Sequence, residues 1–165
     1  MITVAILTVS DSAHAGTRKD ISGPELRRHC EKQGWRVVET ATVPDEITPI
    51  AKQLTQWADS GEVSLIITSG GTGVSPRDVT PEATRQVLSR EIPGLGELMR
   101  ARGLEQTKFS ALSRAVAGSR GRSLIVNTPG SPKGAVFSVT SVQDLVPHIL
   151  RLLSGNTEHS SNEGH

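Results

Sequence analysis

Val63-Ser-Leu-Ile-Ile-Thr-Ser-Gly-Gly-Thr-Gly73 passes within eleven residues from an apolar run to a glycine-bearing loop. A short Val/Ile/Leu-rich stretch bounded by such a turn is the pattern of a strand buried on both faces of a sheet. Ile2–Ser10 and Ser123–Asn127 repeat it, and each also ends in small polar residues. Trp35–Val43 alternates less cleanly and carries Arg36 and Glu39, which suits an edge strand. Leu112–Ala117 is a further strand candidate. The turn Gly118–Gly121 would join it to Ser123–Asn127 as a hairpin, making one strand antiparallel.

Helical patterns fill the gaps. Ser22-Gly-Pro-Glu25 has the spacing of a capping box opening a helix to about Lys32, stopped by Gly34. Ile47, Ile50, Ala51, Leu54, Trp57 and Ala58 recur at helical spacing before Gly61. Thr80-Pro81 predicts an N-cap followed by proline at the first helical position, with the helix running to about Arg90. Ser131-Pro132 repeats the device. The last helix is expected to reach about Leu153, kinked where Pro147 removes a hydrogen bond. Strands alternating with helices predict an α/β fold with a mostly parallel sheet. We expect one domain over residues 1–153 and a disordered polar tail over 154–165.

Composition narrows the function. The 35% of apolar residues together with 16 glycines is ordinary for a globular chain. Trp35, Trp57, Phe109 and Phe137 are the only aromatics, too few to favour stacking on single-stranded nucleic acid. A formal charge of +1 lacks the basic excess of a nucleic-acid binder, so no nucleic-acid partner is expected. Cys30 is the single cysteine, so no intramolecular disulfide can form. No apolar run approaches the ~18–20 residues of a membrane span, and the sequence opens directly on ITVAILTVS without a basic leader. A cytoplasmic protein with no membrane partner is the expectation.

In a parallel sheet, ligands bind beyond the carboxyl ends of the strands. Three loops fall there: Thr8-Val-Ser-Asp-Ser12, Thr68-Ser-Gly-Gly-Thr-Gly73 and Asn127-Thr-Pro-Gly-Ser-Pro-Lys-Gly134. Glycines admit close approach of a ligand to the backbone, and exposed amides and hydroxyls can then cradle phosphate. Lys133 adds a compact positive charge. Any strand-to-helix turn uses small residues, so each loop alone is weak; three at one sheet edge are stronger. No G-x-G-x-x-G, P-loop, G-x-S-x-G or H-E-x-x-H pattern is present. Asp45, after Val43-Pro44, and Asp78, after Pro76-Arg77, admit two readings. They are either helix-start acids contributing ~0.3–1 kcal/mol each or ligand-binding carboxylates. Arg77, Arg100 and Arg114 are open in the same way between solvating a face and serving a site.

The ordered set Thr68–Gly73, Arg77-Asp-Val-Thr-Pro-Glu-Ala83, Pro93-Gly-Leu-Gly-Glu-Leu-Met-Arg100, Leu112-Ser-Arg-Ala-Val-Ala-Gly118 and Asn127–Lys133 closely resembles the Mog/MoaB family of molybdenum cofactor biosynthesis. These are the molybdopterin adenylyltransferases, and the set also resembles the G domain of gephyrin-type proteins. The likeness covers about residues 2–153. It implies a three-layer α/β/α fold with a mixed, mostly parallel five-stranded sheet, assembled as a homotrimer. It implies magnesium- and ATP-dependent transfer of AMP to the terminal phosphate of molybdopterin, with release of pyrophosphate. A separate molybdate-inserting protein would take the product.

Carried onto this sequence, the family's functional aspartates fall on Asp45 and Asp78. Its nucleotide and pterin contacts fall on Thr8, Ser10, Asp11 and Ser12, and on Ser69, Gly70, Gly71, Thr72 and Gly73. Further contacts fall on Asn127, Pro129, Gly130, Ser131 and Lys133, with Ser110 and Ser113 added. A carboxylate beside phosphates needs a cation between them, so Asp78 with Asp45 is expected to hold Mg2+ on the nucleotide. Two rival readings stand beside it: a carrier module that binds molybdopterin through the same loops without chemistry, and an interaction scaffold, which draws on the gephyrin likeness.

Overall fold

The computed structural model describes residues 1–157. One sheet of six strands runs through it in the order β2-β1-β3-β6-β5-β4. The strands are β1 (Thr3–Val9), β2 (Arg36–Val43), β3 (Leu65–Ser69), β4 (Arg90–Glu91), β5 (Ala117–Arg120) and β6 (Ser123–Thr128). β2, β1, β3 and β6 pair in parallel, whereas β5 runs antiparallel to both β6 and β4. The runs read as buried strands are central. Every residue of β3 and β6 is buried, and half-exposed β2 closes one edge.

The sheet separates two apolar layers. Val4, Ile6, Leu65, Ile67, Leu124 and Val126 point to one face, where they meet Leu26, Cys30, Leu95, Met99 and Val139. Those partners come from α2 (Ser22–Lys32), α5 (Pro93–Gly103) and α6 (Pro132–Val142). Ala5, Leu7, Ile66 and Ile125 point to the other face, against Ile50, Leu54 and Trp57 of α3 (Ile47–Asp59) and Ala83 of α4 (Thr80–Val87). Each fully buried Leu or Ile contributes ~1.5–3 kcal/mol. With so few aromatics, these branched aliphatic chains carry the core. The result is the expected three-layer α/β/α arrangement.

The differences from expectation have local causes. The sheet has six strands rather than five because the helix expected to reach Arg90 stops at Val87. Leu88 turns extended, Ser89 N donates to Ser119 O at 2.7 Å, and Arg90–Glu91 pairs with β5. Gly118 lies within β5, not in a turn: a Cβ there would stand 2.2 Å from Arg90 O, so glycine admits the neighbouring strand. The hairpin turn is Gly121-Arg122, where Gly121 supplies the positive φ of 56° that a two-residue turn needs. Leu112–Ala117 is accordingly not a strand. A 3₁₀ turn over Lys108–Leu112 leads into an irregular segment, and β5 begins only at Ala117.

Ser22 does not cap α2; the Asp20 carboxylate does, accepting from Gly23 N at 3.0 Å. Thr80 is the first residue of α4 rather than its cap, and its hydroxyl donates to Gly70 O at 2.8 Å. Ser131 caps α6 as expected, accepting from Gly134 N at 3.1 Å. Pro147 breaks the last helix outright. A 3₁₀ turn over Gln143–Leu145 separates α6 from α7 (Val146–Leu153), and the proline sits in the first turn of α7. One further turn, α1 (Asp11–His14), follows β1. Of the tail expected over 154–165, residues 158–165 lie outside the described residues.

Candidate active site

The chain order reverses between β1 and β3, with α2 on one face and α3 on the other. At such a switch point the loops leaving the two strands diverge and open a crevice. Ser10–Ser12 leaves β1, Gly70–Gly73 leaves β3, and Pro129–Ser131 leaves β6 beside them.

Two clefts open there. The larger, about 850 Å³, is lined by Gly71, Thr72, Gly73 and Asp78, by Ser110 and Ser113, and by Pro129, Gly130, Ser131 and Lys133. Val74, Met99, Phe109, Leu112 and Phe137 give it an apolar side. The smaller, about 370 Å³, is lined by Thr8, Ser10, Asp45, Ser69, Gly70, Gly71, Gly130 and Ser131. Gly71, Gly130 and Ser131 belong to both, so the clefts share one wall. That wall is thin: a Cβ on Gly130 would rest 3.5 Å from Gly70 Cα. Gly70 and Gly71 hold φ of 102° and 68°, and a Cβ on Gly70 would stand 2.3 Å from Val9 O.

The wall offers donors. The amides of Gly71, Thr72, Gly73, Gly130 and Ser131 donate to no protein acceptor among the described residues. Backbone N–H groups gathered in this way suit an anion.

Neither carboxylate singled out in the sequence caps a helix. Asp78 Oδ2 accepts from Ser75 N at 3.0 Å, closing its own loop. Asp45 Oδ2 accepts from Asp11 N at 2.8 Å, and Asp45 N donates back to Asp11 Oδ1 at 3.0 Å. Asp11 is in turn gripped by Arg77, whose Nε and Nη2 reach its two oxygens at 3.0 and 2.9 Å. Arg77 therefore holds the Asp11 carboxyl below the usual carboxylate range. Burial pushes Asp45 above that range, opposed by the Asp11 amide and reinforced by the charges of Asp11 and Asp78. Neither Asp45 nor Asp78 forms an ion pair among the described residues. One oxygen of each, Oδ1, has no hydrogen-bond donor there. Two unpaired carboxylates beside unpartnered amides fit a hard cation that keeps waters and phosphate oxygens in its shell. No group of three or more His, Cys, Asp or Glu among the described residues could hold a metal without such outside ligands.

Other candidates have polar atoms engaged within the protein. Asn127 is fully buried, and its amide is satisfied within the protein. Oδ1 accepts from Val116 N at 3.2 Å, and Nδ2 donates to Thr68 and Thr84 hydroxyls at 3.0 Å each. Asp11, Ser12 and Asn127 line neither cleft. The Thr8 hydroxyl donates to Asp20 at 2.7 Å, and the Ser69 hydroxyl to Ser22 at 2.8 Å and Pro129 O at 3.1 Å. Arg100 holds Ala115 O at 2.9 Å through Nη1 and lines the larger cleft. The sequence reading passes over Arg18, Lys19 and Asp20, which line the smaller cleft. Their signal was a charged triplet directly ahead of a helix.

An open α/β sheet with unpartnered loop amides at its switch point defines a ligand-binding protein of the doubly wound class. Residues 5–150 match the molybdenum cofactor biosynthesis family described as "Probable molybdopterin binding domain", and the chain belongs to that family. A molybdopterin adenylyltransferase of Helicobacter pylori is 37% identical over 157 residues, covering 94% of this chain and 89% of that protein. The molybdenum cofactor synthesis protein cinnamon of Drosophila melanogaster is 42% identical over 153 residues, where this chain spans only 26% of its length. The crystal structure of the molybdopterin biosynthesis enzyme MoaB from Thermus thermophilus superposes with a TM-score of 0.88 at 51% identity. It covers 94% of this chain and 98% of that one.

Proposed function

We propose that this protein is a molybdopterin adenylyltransferase, transferring AMP from ATP to the terminal phosphate of molybdopterin and releasing pyrophosphate. The observation that carries the reading is the shared wall. Two clefts meet at a glycine-lined partition with free amides, with Asp45 in one and Asp78 in the other. Two phosphate-bearing reactants lodged on either side would bring their phosphates together there. The similarity to bacterial molybdopterin adenylyltransferases along nearly their whole length supports it.

Phosphoryl and nucleotidyl transfer depends mainly on alignment and charge neutralisation. The wall amides hold phosphate oxygens, and Lys133 with Arg18 and Lys19 balances charge at the cleft mouths. Asp45 and Asp78 are the residues that would hold Mg2+, which when bound offsets the repulsion between the reacting phosphates. A homotrimer, a cytoplasmic location and hand-over to a molybdate-inserting protein complete the proposal. They rest on the family resemblance, while no helix among the described residues is long and apolar enough to cross a membrane.

Incubating the protein with ATP, Mg2+ and molybdopterin should yield pyrophosphate and adenylylated molybdopterin. Tight molybdopterin binding without either product would overturn the proposal in favour of a carrier. Sedimentation equilibrium at the monomer mass of 17.6 kDa would refute the trimer.

A further inference from the structure

Arg114 lies on the irregular segment before β5, far in sequence from the loop that carries Asp78, yet each of its nitrogens donates to that loop or to the helix behind it. Its backbone N donates to Thr72 O at 2.8 Å. Nε donates to Gly73 O and Nη2 to Asp78 O, each at 2.7 Å, and Nη1 pairs with Glu82 of α4. One planar guanidinium thus pins both ends of the loop over residues 73–78. Inside that loop Asp78 N donates to Ser75 O at 2.9 Å, and Ser75 N returns the bond to Asp78 Oδ2. Arg114 lines neither cleft, so it does not meet a ligand held there.

We propose that Arg114 is the positioning residue that sets where the Asp78 carboxylate stands, an inference that rests on reading Asp78 as part of the reaction. The rigid fork of arginine spans two carbonyls and a carboxylate at once, which the single nitrogen of lysine does not. Glu82 orients the fork from behind. Its second oxygen, Oε2, is buried without a partner among the described residues, so the Glu82 carboxylate depends on Arg114. Truncating Arg114 alone therefore also removes the ion-pair partner of Glu82. A sound test also uses a variant that removes both charges.

The test compares the full chain with Arg114→Lys, with the double variant Arg114→Gln/Glu82→Gln, and with each of these combined with Asp78→Asn. Turnover should fall about tenfold or more in Arg114→Lys and in the double variant, with KM for ATP and molybdopterin held within about threefold. In the Asp78→Asn background the same changes should cost no more than about twofold further, because the residue they position is already disabled. A loss that multiplies in full on Asp78→Asn, or a rise in KM at unchanged kcat, overturns the proposal. Should the wild-type chain release no pyrophosphate, the adenylyltransferase reading fails separately. Amide hydrogen exchange at Ser75 and Asp78 then decides the clamp: faster exchange in Arg114→Lys upholds it, unchanged exchange removes it.

Discussion

Asp11 and Asp45 hold each other by reciprocal bonds, the amide of each donating to the carboxylate of the other at 2.8 and 3.0 Å. The exchange ties the end of β1 to the end of β2, and Arg77 extends the tie to the loop after β3. Three loops that converge only by folding are thereby fixed relative to one another. Asp11→Ala removes the acceptor for both Asp45 N and Arg77. Turnover should drop roughly 10–100-fold, the scale of a small misplacement of reacting groups. Asp11→Asn, which keeps one acceptor oxygen, should recover part of it in the pyrophosphate assay.

Asp78→Asn preserves shape and keeps an oxygen to accept from Ser75 N, so the loop should close as before. Removing the charge should lower turnover by orders of magnitude, on the scale of ~3–5 kcal/mol at the transition state. Molybdopterin affinity, measured by titration, should change little. An Asp78→Asn protein that unfolds while its folded fraction stays active would make the acid structural.

Asp45 carries a pH signature. Its folded pKa lies above the ordinary value, chiefly through burial, so folding disfavours its charged form. Below the unfolded value of ~3.9 both states are protonated and the group costs nothing. As pH rises through the raised folded pKa, stability is lost and stays lost. In EDTA, Asp45→Asn should therefore match the wild type at the acid end of that window and melt higher above it. Added Mg2+ should raise the wild-type melting temperature more than that of the variant, because the ligand binds the folded state. In the Asp78→Asn protein, NMR titration should find the Asp45 pKa lowered from its wild-type value, because one of the charges that raise it is gone.

Asn127→Ala tests whether a residue of the family's contact loop meets the ligand. The change leaves Val116 N and the Thr68 and Thr84 hydroxyls short of a buried partner. Stability in urea should fall by about 2–4 kcal/mol. Both KM values of the folded fraction should stay near wild type.

The apolar runs of Ile2–Ser10, Val63–Ser69 and Ser123–Asn127 were enough to place the centre of the sheet, because strands buried on both faces need no polar alternation. What stayed hidden was decided by contacts distant in the chain. The pairing of Arg90–Glu91 with β5 has no local signature in a two-residue strand, and Gly118 looks like a turn until its neighbour is known. The site divided in the same way. Its glycine loops were legible as loops, but Asn127, Thr8 and Ser69 lie in those loops with their polar groups turned inward. Arg77 and Arg114 stay open in the sequence between solvating a face and serving a site, since their partners at Asp11 and Gly73 are 66 and 41 residues away. Asp20 caps α2 from two residues ahead of Ser22, whose spacing to Glu25 imitates a capping box.

Cys30 sits fully buried among the aliphatic side chains behind β1, and burial pushes its thiol up to about 12. A thiolate attacks maleimide, and this position withholds the thiolate at neutral pH. The protein therefore carries a single chemical clock for its own opening. Label will accumulate only as α2 parts from the sheet, and the labelling rate reads the free energy of that event directly. Occupying the clefts, whose mouths lie at the far end of the same strands, should slow the clock by whatever the ligand adds to the stability of the whole.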